Sequence, residues 1–166
     1  MPHRRTERTI QHRNRTPAEI LRDAGIDFRV HEHVPVATVA EILEALPFPA
    51  DEHVKTLAFD TGDGIALAAL RGSDRLQFGK LARALGVGRD RITPLPPGRV
   101  EEELGLQPGG VCPLVDRAGV TVLFDERVLA LPRVYCGSGR NDATLELAPA
   151  DLVAASRGRI AELAAD

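Results

Sequence analysis

The sequence predicts an α+β domain with a mixed, largely antiparallel β-sheet and helices packed around it. Segments in which apolar and polar residues alternate are typical of strands, and segments with apolar residues three or four apart are typical of helices. The two kinds of segment follow each other irregularly, and short connections between strand segments imply antiparallel pairs. A chain of 166 residues suits one domain with a single sizeable core.

The clearest element is a β-hairpin near the middle of the chain. Two runs rich in Val, Ile, Phe and Thr, residues 53–60 and 65–70, flank a Gly/Asp cluster at residues 61–64. Lys55 lies inside the first run. A lysine in this position either lies at a sheet edge with its amine in water, or points its amine into a cavity that the sheet lines.

Capping residues mark two helices before the hairpin. Thr16 and Glu19 form a capping box around an N-terminal proline, and a second capping box begins at Thr38. Residues 26–33 lie between the two helices and alternate as a half-buried strand does, with Val30 on the apolar face.

Helices and strands also alternate after the hairpin. A helix is predicted over residues 76–85, a proline-rich connector over residues 93–98 and an acidic helix over residues 97–104. Three strands follow, at residues 120–124, 134–136 and 144–147. A helical turn is predicted between the first two of them, at residues 125–131. The last helix starts near Pro149 and is predicted to continue, broken at Gly158, to the end of the chain.

The charge is distributed unevenly. Residues 1–16 contain five arginines and one acid, whereas the remainder contains 16 basic and 23 acidic residues. This mildly acidic body argues against a broad basic face that coats nucleic acid, but it is compatible with a local grip on one strand end. We expect a basic, flexible extension over residues 1–16 and one domain over residues 17–166.

Several classes of protein are excluded by missing signals. No apolar run is long enough to cross a bilayer, and the N-terminus lacks the apolar core of a signal peptide, so we expect a cytoplasmic protein with no membrane partner. Cys112 and Cys136 have no CxxC spacing and predict neither a zinc site nor a disulfide framework. No phosphate-binding glycine motif joins a strand to a helix, and we predict no cofactor and no metal.

Two glycine-rich loops are candidate functional segments. Residues 109–113 form a stiff loop because a proline follows adjacent glycines, and residues 137–142 form a second, flexible one. Such loops are also ordinary turns. Cys112 is a candidate nucleophile with a histidine as base, although nothing adjacent in sequence lowers its pKa. His31, near a strand end, is either functional or simply exposed or paired.

In combination, these motifs resemble the YbaK/ProX family, the free-standing relatives of the editing insertion domain of bacterial prolyl-tRNA synthetase. The resemblance covers residues 18–155 and is carried mainly by four segments: Val54-Lys55-Thr56-Leu57, Gly109-Gly110-Val111-Cys112-Pro113, Gly137-Ser138-Gly139-Arg140-Asn141, and residues 145–152. A lysine strand followed at this distance by a G-x-x-x-P loop is a fairly specific pairing. The family's lysine falls on Lys55 and its loop on residues 109–113.

The resemblance implies hydrolysis of the ester that joins a wrong amino acid to the 3′-terminal adenosine of a tRNA, usually the proline tRNA. It also implies a partly barrel-like sheet, and it implies two partners, the aminoacyl-tRNA acceptor end and prolyl-tRNA synthetase. The oligomeric state is left open.

The predicted chemistry follows from the nature of an aminoacyl ester, which is already activated. Hydrolysis then needs a placed water and donors for the developing oxyanion, and backbone N–H groups of a stiff glycine loop supply such donors. Lys55 is predicted either to anchor the terminal phosphate or ribose or, if burial lowers its pKa, to act as general base. The predicted catalytic residues are Lys55, Gly109, Gly110, Val111 and Cys112. The predicted substrate-binding residues are His31, Thr38, Pro113, Gly137, Ser138, Gly139, Arg140, Asn141 and Asp142.

The sequence predicts the identity of the amino acid removed less sharply than it predicts the reaction. The chain has Cys112 where the family loop is associated with serine, and His31 where cysteine-specific members carry tyrosine. These departures favour alanine or another small residue over cysteine as the amino acid removed. Two alternatives stay open: a non-catalytic module that binds a tRNA end or a synthetase, and an esterase that uses Cys112 as its nucleophile.

Overall fold

The computed structural model describes residues 14–166 of the chain. Most of the predicted N-terminal extension, residues 1–16, lies outside the described residues. Its last part contacts the domain, because the Arg15 guanidinium forms ion pairs of 2.9 Å with both Asp23 and Asp116. Thr16 then caps the first helix by accepting a hydrogen bond from the Glu19 N–H, as its sequence predicts.

The fold is α+β, as predicted, with eight strands in one mixed sheet among the described residues. The strands are β1 (Arg29–Glu32), β2 (His53–Asp60), β3 (Ile65–Arg71), β4 (Thr93–Pro94), β5 (Val120–Asp125), β6 (Val134–Gly137), β7 (Ala143–Leu147) and β8 (Arg159–Ala161). Their order across the sheet is β1-β7-β6-β2-β3-β5-β8, and β4 pairs with β2 outside this path. Four pairings are antiparallel, and the pairs β2/β6, β3/β5 and β5/β8 are parallel.

Six helices surround the sheet in the described part of the chain. They are α1 (Pro17–Asp23), α2 (Val39–Ala45), α3 (Phe78–Leu85), α4 (Pro97–Leu104), α5 (Glu126–Leu129) and α6 (Pro149–Ser156). Thr38 caps α2 as predicted, since it accepts from the Glu41 N–H, but the Glu41 carboxylate accepts from the Ala37 N–H rather than from that of Thr38, so the reciprocal bond of a capping box is not formed. Gly86 ends α3 in the left-handed conformation that glycine adopts without strain.

The central hairpin separates two cores. Alternate residues of β2 and β3 point to opposite faces of the sheet, so Leu67 and Ala69 pack with α1, α4 and α6, while Ala68 and Leu70 pack with α3. A third, small cluster is formed by Val36, Ile42, Leu46 and Phe48 around α2.

The C-terminal segment differs from its prediction. The last helix does not continue past Gly158, because Arg157 takes a left-handed conformation and Gly158 lies directly against the Phe124 ring. The chain then runs beside β5 as the parallel strand β8. The buried Asp125 carboxylate fixes this path, since it accepts the N–H groups of Leu163 and Ala164, each at 2.8 Å.

Two smaller predictions are also corrected. The predicted connector of residues 93–98 begins with the short strand β4. Val30 was expected on a buried face but is 44% exposed, because β1 is the outermost strand at its end of the sheet and its side chains are covered by few neighbours.

Candidate active site

The site lies at a gap along one edge of β2. On its other edge, β2 pairs with β3 from Val54 to Asp60. On the gap side, β6 pairs only with His53 and Val54, and β4 pairs only with Phe59 and Asp60. Within the described chain, residues 55–57 therefore have no strand partner on this side, and the Ala58 carbonyl accepts the Leu95 N–H at 2.9 Å.

A cavity of about 470 Å³ opens at this gap. Its lining is largely apolar and comes from β2, the α2 segment, the start of α4, and both glycine loops: Ala37, Ile42, Leu57, Ala58, Phe59, Phe78, Pro94, Leu95, Pro97, Val100, Pro108, Gly109, Val111 and Gly137 among others. Three residues of β2 with polar side chains, His53, Lys55 and Thr56, also belong to the lining, although the His53 Nδ1 and Thr56 Oγ1 atoms are themselves buried. A mostly apolar cavity with a few polar groups is typical of ligand-binding sites.

Lys55 is half-buried beside the cavity, and backbone carbonyls hold its amine. Its Nζ donates to the Asp74 carbonyl oxygen and, at 3.5 Å, to that of Gly72. Burial lowers the pKa of Lys55 below its usual value, while the Asp74 charge opposes this and the Arg75 charge adds to it. Lys55 is thus neither a free surface lysine nor a deeply buried one.

The segment that holds Lys55 is itself fixed by ion pairs. The Asp74 carboxylate binds the Arg71 guanidinium through both oxygens, at 2.8 and 3.0 Å, and the Arg127 guanidinium at 3.2 Å. Its side chain is only 8% exposed, and the two arginines hold the pKa of the carboxyl below its usual range. A fixed Asp74 in turn fixes the carbonyl that accepts from Lys55.

The two glycine loops form one unit. The Gly139 N–H donates to the Gly110 carbonyl at 2.7 Å, and the Gln107 N–H donates to the Gly139 carbonyl at 2.9 Å. A side chain on Gly110 would lie 2.5–2.7 Å from the Arg140 backbone, and one on Gly137 would lie 2.6 Å from the Gly110 oxygen. These positions are glycine because the two backbones approach too closely for a Cβ atom.

Two structural features require glycine at position 109. Its φ is +84°, which lies in the left-handed region, and a Cβ atom there would overlap the Val36 carbonyl oxygen. The loop is consequently clamped between the segment before α2 and the loop after β6. Its rigidity therefore has a tertiary cause as well as the local one provided by Pro113.

The amide groups of the first loop differ in availability. The Gly110 N–H donates to the Gln107 carbonyl at 2.9 Å and closes a turn. The Val111 and Cys112 N–H groups donate to no acceptor within residues 14–166. Val111 also lines the cavity, whereas Gly110 and Cys112 do not. The prediction that the Gly110 amide is an oxyanion donor is therefore corrected, because this N–H is already used.

His53 and Thr56 are cavity residues that sequence reasoning missed. His53 is 3% exposed and Thr56 is 9% exposed, and the His53 Nδ1 and Thr56 Oγ1 atoms are buried without a hydrogen-bond partner. Burial, and secondarily the Lys55 charge, lower the pKa of His53 from 6.5 to about 4. The available signal was their position, since His53 and Lys55 share one face of β2 and Thr56 follows directly.

Of the predicted site residues, the structure brings Lys55, Gly109, Val111 and Gly137 to the cavity wall. The other predicted substrate-binding residues lie outside this wall, and most of them hold the surrounding loops together. Thr38 caps α2, the Ser138 hydroxyl donates to the Ala143 carbonyl, the Asn141 N–H donates to the Gln107 side chain, and Arg140 pairs with Asp142. Pro113 is buried in the loop and Gly139 packs against Pro17 and Leu106.

His31 lies apart from the cavity in an aromatic and acidic cluster. Its Nε2 is 2.8 Å from the Glu146 carboxylate, and its ring meets the edge of Phe48, which stacks on Tyr135. A direct contact between His31 and a substrate stays a prediction.

Cys112 cannot serve as the nucleophile in this structure. It is fully buried, its Sγ accepts the Leu114 N–H, and burial raises the pKa of its thiol to about 12. A thiol with a raised pKa holds its proton and reacts poorly. The alternative of a Cys112-dependent esterase is therefore contradicted, and the Cys112 N–H, although it has no acceptor within the described residues, belongs to a buried residue outside the cavity lining.

The open strand edge and the paired loops define an α+β domain with one mostly apolar cavity between them. Within residues 14–166, no group of three or more His, Cys, Asp or Glu side chains is placed to hold a metal ion. No helix in the same part of the chain has the length and apolarity needed to span a membrane.

Comparison with known proteins identifies the family. Residues 33–155 match the family model of the aminoacyl-tRNA editing domain, and the chain belongs to this family. It is 34% identical over 105 residues to the proline–tRNA ligase of Shouchella clausii and 28% identical over 127 residues to that of Desulfitobacterium hafniense. The matches cover 61% and 76% of this chain but only 17% and 22% of the ligases, so the chain spans about a fifth of their length.

A solved structure agrees with this assignment. A protein described as a candidate trans-editing enzyme for prolyl-tRNA synthetase superposes with a TM-score of 0.73 at 27% identity, over 84% of this chain and 87% of its own. The predicted resemblance and fold class are confirmed. Family membership supports a general role in aminoacyl-tRNA deacylation.

Proposed function

We propose that this chain hydrolyses the ester bond between a wrongly attached small amino acid and the 3′-terminal adenosine of a tRNA. The observation that carries the proposal is that one cavity is lined by Lys55 and by Gly109 and Val111 of the loop, in a chain of the aminoacyl-tRNA editing family. The reaction adds water across the ester, and the products are the free amino acid and a tRNA with a free terminal hydroxyl.

The loop would stabilise the charge that develops on the ester carbonyl oxygen. The Val111 N–H is the best donor, because it has no acceptor within the described residues and belongs to a cavity-lining residue of a clamped loop. A preorganised donor of this kind contributes roughly 3 to 4 kcal/mol to the transition state.

Lys55 would act as an anchor for the acceptor end. Burial lowers the pKa of Lys55, but its amine donates to the carbonyls of Gly72 and Asp74, and these contacts favour the protonated form over the neutral one. A fixed positive charge at the cavity wall suits the terminal phosphate or ribose of the tRNA. The free ribose hydroxyl of the substrate would assist proton transfer.

The proline tRNA is the proposed carrier. Support comes from the proline–tRNA ligase relatives and from the structural neighbour described for prolyl-tRNA synthetase. Prolyl-tRNA synthetase is by the same argument the proposed protein partner. The tRNA contact would be local, because residues 17–166 carry more acidic than basic side chains.

The test is deacylation of proline tRNA charged with alanine, serine, threonine or cysteine, by the wild type and by Lys55→Ala. We expect the wild type to release at least one of these amino acids and Lys55→Ala to be slower by about 100-fold, since a misplaced acceptor end loses the reactive geometry. Comparable rates would refute the role of Lys55.

Lys80→Ala is the matched control. Lys80 is also partly buried and donates to a backbone carbonyl, that of Ala164 at 2.8 Å, but it lies outside the cavity. Its loss should leave the deacylation rate unchanged. Binding of the tRNA without any release of amino acid in a single turnover would favour the alternative of a non-catalytic binding module.

A further inference from the structure

The turn beside Lys55 holds two arginines against one carboxylate. This turn, residues 72–74, follows β3, and the Asp74 carboxylate at its end binds the guanidinium groups of both Arg71 and Arg127. One carboxylate neutralises one of the two guanidinium groups, so the three side chains together keep a net positive charge. The whole chain, in contrast, has a net charge of -3.

The topology of the sheet brings these groups to the same place as Lys55. β3 and β5 are parallel neighbours, so Arg71 at the end of β3 and Arg127 just after β5 lie at the same end of the sheet. β2 is antiparallel to β3 and begins at this end, where Lys55 lies opposite Leu70. The Asp74 carbonyl accepts from the Lys55 amine while its carboxylate binds the arginines. Both guanidinium groups are therefore no more than about 11 Å from the Lys55 amine, a distance that two hydrogen bonds and one aspartate residue span.

Arg127 keeps donors for a ligand. Its side chain is 37% exposed, and in the described part of the chain one of its guanidinium nitrogens is used, in the bond from Nη1 to Asp74 at 3.2 Å. Arg71 is held more tightly, because it binds both oxygens of that carboxylate, at 2.8 and 3.0 Å, and its side chain is 28% exposed. Asp74 thus orients Arg127 without neutralising it.

A phosphate diester matches an oriented guanidinium group of this kind. The planar fork of arginine pairs with two phosphate oxygens at once, and it stays charged at every physiological pH. A nucleic acid strand whose end reaches Lys55 carries further phosphates within one or two nucleotides, which is the distance that separates Arg127 from the Lys55 amine. A carboxylate of the chain does not occupy this position in the described residues, apart from that of Asp74.

We propose that Arg127, oriented by Asp74 and assisted by Arg71, binds a backbone phosphate of the tRNA acceptor stem next to the group that Lys55 anchors. The inference rests on the proposed tRNA substrate and adds a contact outside the cavity. Phosphate contacts position a nucleic acid without reading its sequence. The contact therefore strengthens binding of the acceptor end whichever amino acid it carries.

The test measures the Kd of an uncharged hairpin RNA with the sequence of a proline-tRNA acceptor stem, at several salt concentrations. The variants are Arg127→Gln, which removes the charge but retains a donor to Asp74, and Arg127→Lys, which retains the charge. The control is Arg117→Ala. Arg117 is similarly exposed, at 39%, and pairs with the Glu103 carboxylate at 3.3 Å, but it lies beside the turn at the other end of the hairpin.

We expect Arg127→Gln to weaken RNA binding about tenfold and to lower the magnitude of the slope of log Kd against log salt concentration by about 1. Arg127→Lys should keep this slope, because it keeps the charge, and Arg117→Ala should bind as the wild type does. In deacylation, Arg127→Gln should raise KM and leave kcat unchanged, since the contact is made equally in the ground state and the transition state.

An unchanged salt slope in Arg127→Gln overturns the inference whatever the affinity, because a purely structural role leaves the number of phosphate contacts as it was. Equal losses in Arg127→Gln and Arg117→Ala also overturn it, since they would report only the overall charge. A wild type that does not bind the RNA overturns it as well. A wild type that binds the RNA but releases no amino acid contradicts the proposed deacylase function alone, and a lower slope in Arg127→Gln then still supports the phosphate contact.

Discussion

At the scale of single residues, the most informative group is the imidazole of His53. Burial, and secondarily the Lys55 charge, lower its pKa to about 4, and its buried Nδ1 atom has no hydrogen-bond partner in the described chain. Its neutral form is therefore the one present in the folded protein near neutral pH. A residue that weakens the fold at a cavity wall is typical of a functional position, where binding is favoured over stability.

The burial of His53 should make the free energy of unfolding depend on pH. The folded chain binds the His53 proton less readily than the unfolded chain, in which the pKa is near 6.5. Unfolding therefore takes up a proton between about pH 6.5 and pH 4, and the free energy of unfolding falls as the pH falls through that window. The His53 contribution to this loss is about 3 kcal/mol, measured by urea denaturation at several pH values.

His53→Leu isolates that contribution. At pH 7 the variant should be more stable than the wild type by about 1 kcal/mol, because an unpaired polar group is replaced by an apolar one of similar volume. The difference should widen towards pH 4, while carboxylates such as Asp74 affect both proteins alike. A stability difference that does not vary with pH would contradict the burial of an unpaired imidazole.

At the scale of elements, the site depends on one strand that lacks a partner over part of its length and on two loops that fasten each other. β2 pairs with β3 from Val54 to Asp60, so the hairpin remains rigid while its other edge is open at residues 55–57. The first glycine loop lines the cavity at this gap, and its position is set by contacts with Val36 and Arg140 rather than by its own sequence alone.

Gly109→Ala tests this clamp. The new Cβ atom would overlap the Val36 carbonyl oxygen, which belongs to the backbone and cannot turn away as a flexible side chain does. We expect a loss of about 3 kcal/mol or more in the free energy of unfolding, together with loss of deacylation.

Gly86→Ala is the matched control for this substitution. Gly86 also has a positive φ, +68° against +84° at Gly109, but a Cβ atom there meets nothing within 4 Å. Its cost should be limited to the backbone strain of about 1 kcal/mol, with deacylation retained. Equal costs at the two positions would show that the contact with Val36 does not constrain the loop.

At the scale of the whole molecule, the charge distribution determines how a polyanion approaches. Residues 17–166 hold 16 basic and 23 acidic side chains, and many of the described basic groups are already paired with carboxylates. A tRNA would therefore meet few unpaired cations near the cavity. Recognition at the acceptor end by Lys55 and the cavity wall is consistent with this distribution.

The salt dependence of substrate affinity measures the number of phosphate contacts. We expect log KM for the preferred aminoacyl-tRNA to change with log salt concentration with a slope of magnitude about 1 to 2, because few phosphates are neutralised. A chain that lacks residues 1–13 tests whether the arginines of this segment add to the slope. A magnitude above about 4 in this shortened chain would contradict local recognition and require a broad basic surface.

The sequence alone determined the elements that depend on neighbouring residues. The N-caps at Thr16 and Thr38, the hairpin and the stiff loop ending in Pro113 follow from local hydrogen bonding, side-chain periodicity and restricted φ angles. The sequence also allowed the family to be recognised from the lysine strand and the G-x-x-x-P loop, because the order and spacing of these two motifs along the chain carry the resemblance.

Only the tertiary structure decided which of these elements meet. The partial pairing of β2 with β6 and β4, the carbonyls that hold Lys55, the burial of His53 and Thr56, and the strand β8 in place of a helix all involve residues far apart in the chain. Their positions are set by the packing of the whole sheet and its two cores, which local periodicity does not encode. The physical reason is that a strand edge is closed or open according to its distant partners, whereas a helix cap is complete within four residues.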